Sequence, residues 1–369
     1  MFQNLAYTKL DDESKDRLNE LLCKAYDPEN AKKRHRSVVW AGEKNPHVND
    51  DDHRYYVIRD KNNIIAYTMR MPVEVFLKDK IVHAFFHHET LVHPEYRRKG
   101  LGIEVSRNVI NDSNGLCMAP WANEKNTNLL TKIGWSEIGE IKAVKKILKI
   151  DNIIKAKVKS HRIRYVLTFV GNIYLKFGQG ERFNLSNNVR IFEINKFKDG
   201  IRESLDHIIK KFKIIVYRDV DYLNWKYIDI PYREYKIYGV RLGSDFKGYV
   251  VLRVEKDIYK NLVKGIIVDL LCDPDEKDCF FSLVLKAEEY FFEEGCDFIV
   301  CLLTFDKFAE WMRKLKFFQK KLKRKSFFLL TNVDQINDTE FARDFRNWYI
   351  TYGDSDYDML TGTLKREAR

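Results

Sequence analysis

Apolar and polar positions change period along the chain in a regular order. Phe2 to Thr8 is expected to form a strand, and DDESKDRLNELLCKAY, with acidic residues ahead of apolar positions at helical spacing, predicts a helix. His53 to Asp60 and Ile64 to Val75 flank a polar turn at Asn62-Asn63 and predict a β-hairpin, with Lys80 to Val92 as the next strand of the meander. After a glycine turn come a helix over Ile103 to Asn111, a strand over Leu116 to Pro120, a helix over Glu124 to Lys132, and strand-like sequence from Trp135 to about Ile150. The expected order is β-α-β-β-β-α-β-α-β.

Between Asp151 and Asn188 the pattern breaks into a basic segment carrying YVLTFVGNIYLKF. Its simplest reading is a connecting helix packed against a domain; the alternative is an amphipathic element lying on a membrane surface. The earlier order then recurs. Strands are expected at Val189 to Lys196, Gly265 to Cys272 and Phe298 to Thr304, a hairpin at Tyr235 to Val254, and helices at Ile201 to Phe212, Phe281 to Glu293 and Lys307 to Lys316. Closing strands are expected near Phe327 to Thr331 and Trp348 to Tyr352. The recurrence is one of pattern, not of residue identity. It divides the chain into residues 1–150, a connector at 151–188, a second domain at 189–362 and a tail at 363–369.

Composition agrees with two ordinary folded domains: 369 residues, 45% apolar and 14% aromatic, without low-complexity blocks. Six cysteines lack paired spacing, which argues against a zinc site or a disulfide framework and suits a reducing cytoplasm. The N-terminus lacks the basic-then-apolar order of a signal peptide. A net charge of +11 favours acidic partners, and part of it is concentrated at Lys155, Lys157, Lys159, Arg162 and Arg164 and in KKLKRK at 320–325. A solvated basic face is the plain reading of both clusters.

The candidate chemistry begins at LVHPEYRRKGLGIEVSRNVI, residues 91–110. A diphosphate needs several backbone N–H groups converging on it, and glycines at a helix start let the main chain approach. Arg97, Arg98, Lys99, Gly100, Leu101 and Gly102 supply that arrangement, after a strand and before a helix. The stretch resembles motif A of the GNAT acyltransferases, and PWANEKNTNLLTKIGW, with Asn123 and Gly134-Trp135, resembles the family's later segment. The resemblance implies a mixed α/β fold of two tandem GNAT-like domains, each a mostly antiparallel central sheet flanked by helices. It implies acyl-CoA as co-substrate, with the diphosphate on residues 97–102, pantetheine along Leu91 and Val92, and Asn123 and Thr127 on its other side; a helix cap is the competing reading of those last two. No metal is implied. Aligning Asp273-Pro274 with His93-Pro94 sets Lys277, Phe280 and Ser282 at the positions of Arg97, Gly100 and Gly102, so the second domain is expected to hold no coenzyme.

An amine attacking a thioester must lose a proton. HAFFHHET, residues 83–90, offers His88, at the place where arylalkylamine N-acetyltransferases of this family carry a catalytic histidine, and Glu89 as the second candidate base. Strand alternation would send neighbours to opposite faces, which leaves a structural role open for His88. Leu130 stands where many family members have the tyrosine that protonates the leaving thiolate. DYLNWKYIDIPYREY (221–235) and WYITYGDSDYD resemble segments of tandem-GNAT proteins of bacterial surface-polysaccharide pathways. They imply a nucleotide-linked amino sugar as acceptor, with Trp225 or Tyr227 stacking on it and Asp269 or Asp356 near the amine. Core packing is the competing reading for Trp225. A protein amine or an aminoglycoside is the alternative acceptor, and a basic module that binds membrane or nucleic acid without catalysis is the alternative class.

Overall fold

The computed structural model describes residues 2–112, 115–122, 124–178, 185–257, 259–320, 326–331 and 339–360. Asn123, residues 321–325 of the basic cluster and the tail at 363–369 lie outside them. The chain opens with β1 (Gln3–Tyr7), α1 (Asp12–Ala25) and α2 (Pro28–Glu43). Asp11 and Asp27 start the two helices, each accepting a backbone N–H three residues on, from Ser14 at 2.7 Å and Asn30 at 3.1 Å. No helix was expected at α2, because its Lys, Arg and His residues hide the buried stripe of Ala31, Val38 and Ala41.

The meander follows as β2 (Tyr55–Asp60), β3 (Asn63–Leu77) and β4 (Lys80–Val92), then α3 (Leu101–Asn111), β5 (Leu116–Ala122), α4 (Glu124–Lys132), β6 (Ser136–Glu140) and β7 (Ala143–Ile147). The connector folds as α5 (Asp151–Lys157) and α6 (His161–Gly178). The second half repeats the order with β8 (Val189–Glu193), α7 (Arg202–Ile209), β9 (Ile214–Val216), α8 (Val220–Tyr227), β10 (Lys236–Leu242), β11 (Asp245–Asp257) and β12 (Leu262–Cys272). It ends with α9 (Lys277–Glu293), β13 (Phe298–Leu302), α10 (Asp306–Lys314), β14 (Phe318–Lys320), β15 (Ser326–Thr331), α11 (Thr339–Arg343), β16 (Trp348–Tyr349) and α12 (Tyr357–Leu360).

The strands form two mixed sheets flanked by helices. The first has the order β1-β2-β3-β4-β5-β15-β6, with β9 beside the far end of β3 and β16 beside β9; the second has the order β14-β7-β13-β12-β11-β10-β8. The sheets therefore do not divide at residue 150. The stretch from Trp135 to Ile150 is two strands: β6 stays in the first sheet, whereas β7 lies between β13 and β14 in the second. In return β15 enters the first sheet between β5 and β6. Each lobe thus completes the other's sheet. Burial follows the same plan, since one apolar cluster contains Leu18, Val73, Ile215, Val250 and Phe291 from both halves. A smaller cluster under α3 and α4 joins Leu101, Val105, Leu130 and Trp135 to Phe328 of β15.

Such an exchange removes independent stability from the halves, because a sheet without its inner strand exposes two unpaired edges. Residues 1–150 expressed alone are expected to lack cooperative thermal unfolding and to recover it on co-expression with 151–369. A sharp unfolding transition of the isolated fragment would contradict the shared architecture.

Candidate active site

β4 and β5 run parallel and pair only at Ala84, Phe85 and Phe86 with Leu116, Cys117 and Met118. β5 pairs with β15 along its other side, and no described strand covers the β4 edge from His87 to Val92. A V-shaped opening results, with Leu91 and Val92 on its wall. At its mouth a short 3-10 turn, Pro94–Tyr96, leads into the glycine turn. Arg98 and Gly100 are both left-handed, at φ 65° and 83°. Gly100 is the N-cap of α3 and offers no side chain to its first turn, which leaves the helix start open to an anion. Gly102 has a different reason to be glycine. A Cβ there would meet only Val92 Cγ2, at an ordinary 3.5 Å, so the fold does not require it. A glycine costs a helix about 1 kcal/mol relative to alanine, and bare backbone at this position fits a ligand that approaches it closely. Arg97, Arg98 and Lys99 are exposed around the turn, Leu101 is buried beneath it, and Thr127 is half-buried on α4.

The second lobe repeats the V without its opening. β12 and β13 pair in parallel from Lys264–Phe298 to Ile267–Cys301 and then separate. The gap is filled by the chain's own residues 349–354: Gly353 donates its N–H to Val268 O at 2.8 Å, and Thr304 N–H reaches Ile350 O at 3.2 Å. The approach is close enough that a Cβ on Gly353 would lie 2.2 Å from Tyr227 Oη. The glycine turn is also gone. α9 begins at Lys277, so the positions matching the turn are helical, and Phe280 packs into the core against Phe308 with ring centres 4.6 Å apart. Asp273, Asp275 and Glu276 crowd this helix start and are paired with Lys211, Lys247 and Lys307, so its charges are committed to one another. The expectation that side chains would simply stand in the phosphate position is corrected: the loop has wound into helix, and the cleft behind it is plugged.

A bulge governs the candidate bases. In the β3–β4 ladder Thr68 faces Thr90 and Arg70 faces His87, leaving His88 and Glu89 together opposite Met69. The expected alternation fails here. His88 is buried, its Nδ1 accepts the Glu89 N–H at 2.9 Å, and its Nε2 lies 2.8 Å from Asp356. Burial disfavours the Asp356 carboxylate, but the His88 charge and hydrogen bond outweigh it and hold Asp356 below its usual value. Glu89 is the more open of the two. It accepts the Tyr26 hydroxyl at 2.5 Å and the Tyr67 hydroxyl at 2.8 Å and pairs with Arg34, whose guanidinium lies 4.1 Å from the Tyr26 ring centre. Burial, followed by the Glu89 charge, raises the Tyr26 hydroxyl, which therefore stays protonated at neutral pH. On the strand's other side, burial pushes His87 down to about 4, leaving it neutral with Thr68 Oγ1 at 3.1 Å.

The expected acceptor residues are mostly interior. Trp225 is buried and stacks on Trp40 at 6.4 Å, bearing out core packing. Tyr227 donates to Asp269 at 3.2 Å, and Asp269 also accepts from Tyr249 at 2.8 Å, Thr351 at 3.0 Å and Arg218 at 3.2 Å, with no exposed face left for an amine. Asp356 alone reaches the first lobe's site. It belongs to a closing segment gripped by buried cations, with Arg218 on Asp354 at 2.7 and 2.8 Å, Lys226 on Ser355 O at 3.1 Å and Arg253 on Asp358 at 2.9 Å. Leu130 is core, near Trp135. Tyr26, Arg34 and Tyr67 are the site residues that the sequence did not reveal. A cross-strand tyrosine is repeated at Tyr249 beside Asp269, a symmetry visible only in the ladders. Among the described residues, His47, Glu74 and Asp219 bring ligand-type atoms within 4.8 Å of one another. His47 already uses Nδ1 on the Glu74 N–H at 3.2 Å and turns Nε2 to Asp219 at 3.3 Å, so the trio serves as a clasp between halves.

Residues 6–115 match the family model described as an acetyltransferase (GNAT) domain. The matched stretch lies in the first lobe and is similar to a GNAT domain. Solved structures show the same fold through both lobes. A GCN5-related N-acetyltransferase from Anabaena variabilis superposes with TM-score 0.59 at 12% identity, over 89% of this chain and 72% of that one. A probable N-acyltransferase from Enterococcus faecalis gives TM-score 0.58 at 11% identity, over 90% and 73%. N-myristoyltransferase from Saccharomyces cerevisiae with bound myristoyl-CoA gives TM-score 0.56 at 13% identity, over 89% and 82%. No curated relative matches by sequence.

A carboxyl held below its ordinary value stabilises the fold while charged. The Asp356 contribution is therefore complete above the unfolded value of 3.8 and vanishes as pH falls through the lower native value. Asp356→Asn is expected to cost about 1–3 kcal/mol at neutral pH, with the gap to wild type closing in acid. Urea denaturation measures both, and a gap independent of pH would remove the His88–Asp356 interaction from the account.

Proposed function

We propose that the protein transfers an acyl group from acyl-CoA to an amine, in the first lobe only. The observation that carries this reading is the conjunction of an open β4 edge with a cationic helix start whose second glycine the fold does not need. Acyl-CoA supplies the activated carbonyl. Arg97 to Gly102 hold its diphosphate, Leu91 and Val92 flank its pantetheine, and Thr127 closes the far side. Glu89 is the proton acceptor. The Tyr26 hydroxyl donates to it and keeps a lone pair for the amine, so the amine proton passes to Tyr26 Oη as the Tyr26 proton moves to Glu89. His88 is a positioning residue, since both ring nitrogens are engaged, and with Asp356 it fixes the bulge that presents Glu89. Leu130 has no proton to give, and the coenzyme leaves as its thiolate, as a thiol's moderate pKa permits.

For the acceptor we propose an amino sugar, nucleotide-linked. The support is the pair of segments at 221–235 and 348–358 and a net charge of +11 that suits a diphosphate ester. With Trp225, Tyr227 and Asp269 interior, the sugar meets the Tyr26–Arg34 face instead. Mass spectrometry of reactions pairing several acyl-CoAs with amino-sugar nucleotides, aminoglycosides and peptides identifies both substrates. Mass gain confined to an aminoglycoside or peptide would overturn the sugar, and vesicle or DNA binding without any CoA binding would overturn the enzyme.

Calorimetry is expected to find one CoA per chain, abolished by Gly102→Val; two equivalent sites would contradict the plugged second cleft. Glu89→Gln is expected to lower kcat about 100-fold or more while CoA affinity stays unchanged. Turnover equal to wild type would exclude Glu89 as the base.

A further inference from the structure

α6 was expected to pack its apolar residues on a domain, and it does the reverse. Gly171 is on the face that docks: it is buried, and a Cβ there would lie 2.6 Å from Ile150 Cδ1 and displace that side chain. Away from that face Tyr165 is 73% exposed, Val166, Leu167, Phe169 and Val170 are exposed beside it, and Ile163 and Ile173 extend the patch at either end. At 100° per residue these positions cover an arc of roughly 200° whose centre lies about 140° around the helix from Gly171. Seven of the twelve exposed large apolar side chains among the described residues sit on this one helix. An apolar surface of this kind on a folded chain marks an interaction site.

The charge around the patch selects its partner. Lys155, Lys157, Lys159 and Arg162 are exposed at its N-terminal end, and no acidic residue occurs from 152 to 180. A second copy seated on the patch would bring matching cations against these, whereas a bilayer with anionic headgroups neutralises them and receives the apolar arc. No described helix is long and apolar enough to cross a membrane, so α6 lies along the surface. We propose that α6, with the lysines of α5 and the following turn, is an interfacial anchor that docks the protein on anionic lipid bilayers. The docking is peripheral and reversible, and it would hold the cleft at a surface where amphiphilic substrates collect.

Flotation of the full chain with phosphatidylcholine vesicles containing about 30% phosphatidylglycerol tests this. Binding is expected with these vesicles and at least about tenfold weaker with phosphatidylcholine alone or in high salt. Val166→Ser/Phe169→Ser and, separately, Lys157→Glu/Arg162→Glu are each expected to abolish flotation with the melting temperature unchanged, since all four side chains are exposed. The proposal is overturned if wild type fails to float, if either variant floats like wild type, or if the protein is a stable dimer dissociated by Val166→Ser/Phe169→Ser and indifferent to vesicles.

Discussion

Two parallel strands that separate leave main-chain donors and acceptors without partners, and buried main-chain groups must find some. This chain meets the demand twice and in opposite ways. In the second lobe the protein supplies its own backbone: residues 349–354 enter between β12 and β13 and bond to Val268 and Thr304. In the first lobe no described strand does so, and the β4 edge from His87 to Val92 faces the cleft. The two lobes differ in whether the chain's own residues 349–354 fill the cleft between the parallel strands.

That same segment ties the chemistry to the fold. After filling the second cleft it continues to Asp356, which meets His88 across the junction. Burying this many charges is costly, and the cost shows at Lys226, pushed down to about 8 by burial against the pull of nearby carboxylates. Burial also pushes Asp354 up to about 6, with Arg218 opposing and the like charge of Asp269 adding to the rise. Pairing offsets the cost and fixes geometry. Together with the exchange of β7 and β15, the closing segment makes the two lobes one folding unit, so the bulge at His88 and Glu89 is held by residues from both ends of the chain.

Local chemistry was legible in the sequence and long-range pairing was not. The strand, glycine turn and helix from Lys80 to Asn111 could be read directly, because period and glycine placement are local properties. The end of the stretch from Trp135 to Ile150 was misjudged, since nothing in AVKKI says that it will pair with FIVCL rather than with its neighbour. α2 was hidden by its cations. The burial of Tyr227 and Asp269 follows from a plug formed about eighty residues after Asp269, and that of Trp225 from Trp40 of α2, and no window around those residues contains that information. Alternation misled at His88 because a bulge adds a residue without any mark in sequence.

The central claim is that backbone near Gly100, and not its counterpart near Phe280, receives the coenzyme's diphosphate. Hydrogen–deuterium exchange at saturating CoA reads both places in one experiment. The account predicts slowed exchange across residues 97–104 and along the β4 edge, with residues 268–282 unchanged. Protection appearing only in the second stretch, or equally in both, would contradict it.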